Sequence, residues 1–164
     1  MGGDERMHTC AFTGHRKIEA SHMGKIENLL SRAVDFAYEN GCRTFITGGA
    51  LGFDTLAAKE VIRFRMSHPD VRLIIVLPCK NQSSAWSSSQ VSLYEYTLVN
   101  ADEIEYVSEE YTDSCMKERN RRLVELCDML IAYVSRPYSG AAQTVRMASN
   151  EGKVIYNLYP SLDK

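Results

Sequence analysis

The sequence predicts a three-layer α/β fold, with a mostly parallel sheet of about six strands between two layers of helices. Short apolar segments alternate with amphipathic stretches along the whole chain, as in repeated strand–helix–strand units. The run Leu73–Leu77 is apolar at every position, as expected of a strand covered on both faces. A chain of 164 residues is long enough for one well-packed domain and short for two.

The elements follow one another at the spacing this fold requires. The predicted strands are His8–Thr13, Arg43–Thr47, Val71–Leu77, Glu103–Val107, Met129–Val134 and Val154–Leu158. The clearest helix covers Met23–Tyr38, where apolar residues recur at spacings of three and four before the stop signal Asn40-Gly41. The other predicted helices are Asp54–Ser67, Gln90–Ala101, Asp113–Cys127 and Gly140–Glu151. Residues 1–7 are expected to form a flexible tail, and residues 8–164 a single domain.

Composition excludes several classes of protein. Lys and Arg total 19 against 21 for Asp and Glu, and this net charge of -2 argues against binding duplex DNA through overall charge. The apolar runs are too short to cross a bilayer, and no signal peptide is predicted. The five cysteines are odd in number and contain no close pair, which fits neither a disulfide framework nor a zinc knuckle. We expect a reduced, cytoplasmic protein without a metal or cofactor.

Three strand-to-helix junctions are candidate ligand sites, because open parallel sheets bind ligands beyond the carboxyl ends of their strands. The first is Gly14-His15-Arg16. The second, after the second strand, holds Gly48, Gly49 and Gly52 within five residues but matches neither the Walker A pattern nor the dinucleotide-binding spacing. Its glycines indicate either a ligand site or a tight turn that packs the helix on the sheet.

The third junction, Ser139–Thr144, has the better electrostatics for a phosphate. A helix N-terminus offers free N–H groups and a partial positive charge, and this segment contains no acid. Ser139, Gly140 and Thr144 are its candidate ligand-binding residues, with two hydroxyls among them, and the cation of Arg136 lies just upstream. At the second junction Asp54 would repel a phosphate, so we predict a ribose-like hydroxyl group there; a plain N-cap role for Asp54 is the alternative.

Two further residues stand out by their surroundings. Asn120 occupies an apolar position of the fourth helix between Arg119 and Arg121, and this trio could reach over the strand ends. The alternative is that Asn120 bonds a loop carbonyl while the arginines are solvated. Trp86, the only tryptophan, lies in a Ser-rich loop, where its ring could stack on a base or fold over the rim of the core.

Several segments together resemble the SLOG superfamily of Rossmann-like folds. Thr47–Asp54 followed by Leu56-Ala57-Ala58 is similar to the Gly-rich motif of the Smf/DprA DNA-processing proteins, and Arg119-Asn120-Arg121 resembles their R-N-R motif. Ser139-Gly140 with Thr144 and Ala148 resembles their S-G-x-x-x-T-x-x-A segment. The short, single-domain YpsA-like members are the nearest match; the segments shared with them are Ala11–Arg16, Pro78–Gln82, Trp86 and Ala101-Asp102.

The resemblance implies a pocket for a nucleotide or nucleotide derivative, often in a homodimer. The related LOG phosphoribohydrolases carry P-G-G-x-G-T-x-x-E with a catalytic Glu. Matching Thr144 to their Thr puts Arg146 or Met147 at the place of that Glu. We therefore predict a binding, sensor-like module rather than an enzyme.

Two alternatives stay open. One is a nucleotide N-glycosidic hydrolase, for which Asp54 is the candidate catalytic residue. The other is a module that binds single-stranded DNA through a basic edge. The cationic residues proposed for that edge are Arg16, Lys17, Lys117, Arg119, Arg121 and Arg122.

Overall fold

The computed structural model describes residues 7–163 and contains one sheet of six parallel strands. The strands are β1 (Thr9–Gly14), β2 (Thr44–Thr47), β3 (Arg72–Leu77), β4 (Glu103–Tyr106), β5 (Met129–Tyr133) and β6 (Val154–Asn157). Their order across the sheet is β4-β3-β2-β1-β5-β6, and every neighbouring pair is parallel. All six predicted strands form within one residue of their predicted ends, so the predicted α/β fold is confirmed.

Five of the helices were predicted and one was not. The helices are α1 (Met23–Glu39), α2 (Phe53–Arg65), α3 (Ser88–Val99), α4 (Cys115–Leu126), α5 (Gly140–Asn150) and α6 (Tyr159–Leu162). The 3-10 turns at Ala20–His22 and Gln82–Ala85, like α6, are too short to show an apolar period in the sequence.

The sheet separates two cores of unequal size. Successive residues of a strand point to opposite faces, so Phe12 packs into the larger core while its neighbour Ala11 packs into the smaller. The larger core lies under α1 and α2 and contains four phenylalanines, Phe12, Phe45, Phe53 and Phe64. The smaller core lies under α4 and α5 and is built mainly from aliphatic side chains such as Leu123.

The order of the strands reverses between β1 and β5. From β1 the chain proceeds towards β2, whereas from β5 it proceeds towards β6 on the other side. With right-handed crossovers, α1 and α5 therefore lie on opposite faces of the sheet. The two loops diverge where they leave β1 and β5, and they open a crevice at the carboxyl ends of these strands, the usual place for a ligand.

The predicted tail, residues 1–7, lies outside the described residues apart from Met7, whose backbone N–H donates to the carbonyl of Asn40 at 3.2 Å. All five cysteines are buried and unpaired. Among residues 7–163, none of the helices combines the length and the apolar character that spanning a lipid bilayer requires.

Candidate functional site

A cleft of about 340 Å³ opens at the strand reversal between β1 and β5. The loops after both strands form its walls, and one face of α4 from Met116 to Leu123, the first turn of α5, and Ala50 and Asp54 complete it. The predicted site residues that line it are Gly14, His15, Arg16, Asp54, Arg119, Asn120, Ser139 and Gly140. Residues of three separate junctions therefore meet in one place.

The N-terminus of α5 presents free backbone donors to the cleft. Ser139 is the N-cap: its Oγ accepts from the N–H of Ala142 at 3.0 Å, and its carbonyl accepts from Gln143 at 3.0 Å. The N–H groups of Gly140 and Ala141 have no acceptor within residues 7–163, and both residues line the cleft. Two unsatisfied donors and the positive end of the helix dipole converge there, an arrangement that suits an anion.

Asn120 adds a third neutral donor. Its Oδ1 accepts from Arg119 Nε at 2.8 Å, which fixes the orientation of the amide and turns Nδ2 towards α5. A Cβ built on Gly140 would have Nδ2 as its nearest neighbour, at 3.8 Å. The space beside Gly140 is therefore open and faces a donor.

The charge in the cleft is predominantly positive. Arg16 and Arg136 are exposed at its edge, and Arg119 is buried in its wall. Asp54 is the single acid among the lining residues. Three guanidinium groups around one opening concentrate anions locally, although the protein as a whole is slightly acidic.

Asp54 is a buried carboxyl group that is only partly satisfied. Its Oδ2 accepts from the N–H of Ala50 at 3.2 Å, whereas Oδ1 has no hydrogen-bond partner. Burial raises the pKa of Asp54 to about 6, against the opposing effect of the Arg119 charge. The N-cap alternative is wrong, because the N-cap of α2 is Gly52 and no side chain caps that helix.

The glycines of the second junction make room for the protein's own atoms. A Cβ on Gly48 would lie 2.7 Å from Arg119 Nη1, and one on Gly49 would lie 2.3 Å from Leu77 Cδ2. Gly52 has a φ of +77°, and a Cβ there would lie 2.1 Å from the carbonyl oxygen of Arg16. These predicted ligand-binding glycines do not line the cleft, and the structure supports the tight-turn interpretation for them.

The position of Arg119 on α4 differs from the one expected from the sequence. The prediction that it is solvated is wrong, since it is 5% exposed and donates through Nη1 to the carbonyl of Gly48. It thus makes the contact with a loop carbonyl that the sequence assigned to Asn120. Arg121 is exposed as expected, and Arg122 pairs with Glu105, Nε to Oε2, at 2.7 Å.

His15 ties the first and third junctions together. Its Nε2 accepts from the N–H of Ser135 at 2.9 Å, and its carbonyl accepts from Phe53 at 3.1 Å. Burial, and then the charge of Arg136, lower the pKa of His15, which favours the neutral ring. A neutral ring that accepts at Nε2 carries its proton on Nδ1.

Besides the glycines of the second junction, two other predicted site residues lie away from the cleft. Thr144 is fully buried, and its hydroxyl donates to the carbonyl of Gly140 at 3.0 Å inside α5. Trp86 packs edge-on against Tyr94, with ring centroids 5.0 Å apart, at the margin of the larger core. Neither lines the cleft, and the core-rim alternative describes Trp86 correctly.

Arg136 is the main lining residue that the predicted set left out. It lies three positions before the N-cap of α5, in the loop after β5. Its charge already favours a phosphate at the third junction in the sequence, although Arg136 is not among the candidate ligand-binding residues predicted there.

One group in the described part of the chain has metal-ligand chemistry. Its potential ligand atoms, on Glu19, His22 and Asp163, lie within 4.8 Å of one another. His22 is already satisfied on both ring nitrogens, by Tyr133 Oη at 2.8 Å and Asp163 Oδ1 at 2.8 Å. The group serves as it stands to attach the C-terminal turn to the rest of the fold.

Comparison with protein families and curated proteins gives consistent relatives. The YpsA family model, described as the YspA SLOG family, matches residues 10–157. The uncharacterized SPbeta prophage-derived protein YoqJ of Bacillus subtilis (strain 168) is 29% identical over 161 residues, covering 90% of each chain. A UPF0398 protein of Bacillus thuringiensis (strain Al Hakam) is 26% identical over 162 residues, covering 93% of this chain and 88% of the relative.

Solved structures show the same fold. DNA processing protein A (DprA) from Streptococcus pneumoniae superposes with a TM-score of 0.65 at 20% identity, over 90% of this chain and 49% of that one. DprA from Helicobacter pylori, described with a single-stranded DNA binding mode, superposes with a TM-score of 0.63 at 20% identity. The match covers 92% of this chain and 65% of that one. This chain therefore spans about half to two thirds of these DprA chains. The structure of TM1055 superposes with a TM-score of 0.57 at 15% identity, over 91% of this chain and 72% of that one.

Proposed function

The chain belongs to the YspA SLOG family, and we propose that it binds a phosphate-bearing nucleotide or nucleotide derivative in the cleft beside α5, as a sensor or regulatory module. One observation carries the proposal. The free N–H groups of Gly140 and Ala141, the amide of Asn120 and two exposed arginines surround a single opening. Backbone donors and guanidinium groups are the usual partners of phosphate oxygens.

Asp54 supports the second half of the proposal. A carboxylate repels phosphate, so the part of the ligand that lies beside Asp54 must be neutral or a hydrogen-bond donor. The hydroxyl groups of a ribose meet this requirement and would satisfy a carboxyl group that is only partly bonded in the free protein. Phosphate at α5 and ribose towards Asp54 together define the sugar-phosphate part of a nucleotide.

The test uses two substitutions at one open position. Gly140→Asp adds a negative charge at the first residue of α5, where an acid suits the helix but opposes an anion. Gly140→Asn is its neutral, nearly isosteric control, and both side chains enter open space. Titration calorimetry with AMP and ADP-ribose should show binding to the wild type and to Gly140→Asn, and loss of binding in Gly140→Asp. Equal affinity in all three proteins would refute the proposed site.

Hydrolysis of a nucleotide N-glycosidic bond is the second candidate, and the state of Asp54 favours it. A carboxyl group with a pKa of about 6 in a cleft suits general acid–base chemistry near neutral pH. This activity would release base from a nucleoside monophosphate in the wild type and not in Asp54→Asn. A panel of nucleotides that yields no free base with the wild type would exclude it.

Binding of single-stranded DNA remains the third candidate. Of the cationic residues proposed for it, Arg119 is buried and Arg122 is paired with Glu105, whereas the others are exposed. Such binding should weaken steeply with salt, because phosphate contacts release counterions. A gel shift at low salt with an oligonucleotide tests it directly. A homodimer and a cytoplasmic location likewise stay predictions, and the first is tested by the molar mass in solution.

A further inference from the structure

The loop between β5 and α5 exposes an aromatic ring beside the cleft. Tyr138 is 90% exposed, more than any other aromatic side chain in residues 7–163. It directly precedes Ser139, the N-cap of α5. An exposed tyrosine presents a large apolar face to water. Beside the free donors of α5, that face is available to a bound ligand.

The backbone around Tyr138 is held although its side chain is free. Pro137 restricts its own φ, and its carbonyl accepts from Arg146 Nη1 on α5 at 2.5 Å. On the other side, Ser139 is fixed by its hydrogen bond to Ala142 at 3.0 Å. The ring is therefore presented from a fixed backbone, which lowers the entropy cost of using it to bind a ligand.

A shallow depression connects the ring to the cleft. It is lined by Arg136, Pro137, Tyr138 and Ser139 and has a volume of about 370 Å³. Arg136 and Ser139 also line the cleft, so the two depressions share a border. A nucleotide whose phosphate lies at the start of α5 is therefore bordered on one side by the depression that contains Tyr138.

We propose that Tyr138 supplies the stacking face for the base of the nucleotide, so that the site takes a base-bearing ligand and favours purines over pyrimidines. This inference rests on the proposed function. Every base has a π-face that stacks on an aromatic side chain, and the larger purine ring covers more of it. The sequence assigned stacking to Trp86, but that ring is already packed against Tyr94, whereas Tyr138 has no aromatic neighbour in the described part of the chain.

The experiment compares a ligand that carries a base with one that lacks it. Titration calorimetry of Tyr138→Ser should show about tenfold weaker binding of AMP and unchanged binding of ribose 5-phosphate. Tyr138→Phe keeps the ring and should bind AMP like the wild type. Tyr111→Ser is the control, since Tyr111 is also exposed, at 61%, but does not line either depression.

The outcomes separate this inference from the function on which it rests. If both ligands bind and Tyr138→Ser leaves AMP affinity unchanged, the stacking role is refuted and the nucleotide site stands. If Tyr138→Ser weakens ribose 5-phosphate as strongly as AMP, the ring does not act on the base and the inference also fails. If the substitution weakens only a single-stranded oligonucleotide, Tyr138 belongs to a nucleic-acid surface instead. If the wild type binds neither small ligand, the proposed function itself is refuted.

Discussion

The junctions that begin α2 and α5 have similar sequence features but different structures. Both place glycine between a strand end and a helix start. At α2 the space beside Gly48, Gly49 and Gly52 is filled by Arg119, Leu77 and the backbone of Arg16. At α5 the nearest atom to a Cβ on Gly140 would be 3.8 Å away, and the first two N–H groups are free.

The difference shows two uses of the same residue type. Glycine at α2 permits close packing of a loop that the protein bonds internally, since Arg119 holds the carbonyl of Gly48 and Gln82 holds that of Gly49 at 2.9 Å. Glycine at α5 leaves open the approach to a helix terminus. A glycine-rich loop therefore indicates a binding site only where the space it leaves is not already filled.

The largest expected effect is on stability at the α2 junction. Gly52→Ala combines a left-handed φ with a clash against backbone, so the free energy of unfolding should fall by about 4 kcal/mol. Gly140→Ala should change it by less than about 0.5 kcal/mol. Urea denaturation measures both.

A third glycine gives a comparison for Gly52 without the clash. Gly152 has a similar φ, +74°, but no atom within 4 Å of the Cβ position, so Gly152→Ala should cost only about 1 kcal/mol. If Gly52→Ala and Gly152→Ala cost the same, the α2 junction is not tightly packed and the contrast with α5 is lost.

A smaller effect is expected from the charge beside the α2 junction. Because the pKa of Asp54 is about 6 when folded and 3.8 ordinarily, the folded state binds more protons between these values, and stability falls as pH rises through that window. The difference corresponds to at most about 3 kcal/mol. Asp54→Asn, which keeps an acceptor for Ala50, should therefore stabilise the protein at pH 7 and have little effect below pH 4.

The measurement is urea denaturation of both proteins at several pH values. Sulfate binding offers a second readout, since sulfate itself does not titrate in this range. Ionised Asp54 opposes an anion, so the wild type should bind sulfate more tightly as pH falls through about 6, and Asp54→Asn should lose that dependence. A stability difference that does not vary with pH would show that Asp54 titrates normally.

The smallest effect concerns the cap of α5. Ser139→Ala removes the acceptor of the Ala142 N–H and should cost about 1 kcal/mol, without weakening sulfate binding, because it frees one more donor. Ser139→Asp should restore the cap and weaken sulfate by its charge. Urea denaturation measures the free energy of unfolding, and titration calorimetry on the same samples measures the sulfate affinity. Loss of sulfate binding in Ser139→Ala would mean that the hydroxyl itself contacts the anion.

Much of the fold could be predicted because its signals are local. The apolar segments and the periodic stretch Met23–Tyr38 correspond to strands and helices that form at those places. The convergence of Gly14–Arg16 and Ser139–Gly140 at one edge also followed from parallel strands, whose carboxyl ends lie at the same side of a sheet. Thr144 was misread because a threonine near a helix start can point outwards or bond back to its own helix, and packing chooses between them.

The sequence by itself determined the order of elements, the parallel sheet and the edge at which the site lies, because hydrophobic periodicity and crossover handedness are set within short stretches of chain. Only the tertiary structure decided that Arg119 fills the space at Gly48, that Trp86 packs inward, that the amide of Asn120 faces the cleft and that Tyr138 is exposed beside it. Those outcomes depend on contacts between residues far apart in the chain, and no local pattern encodes which of two polar or aromatic side chains will find a partner.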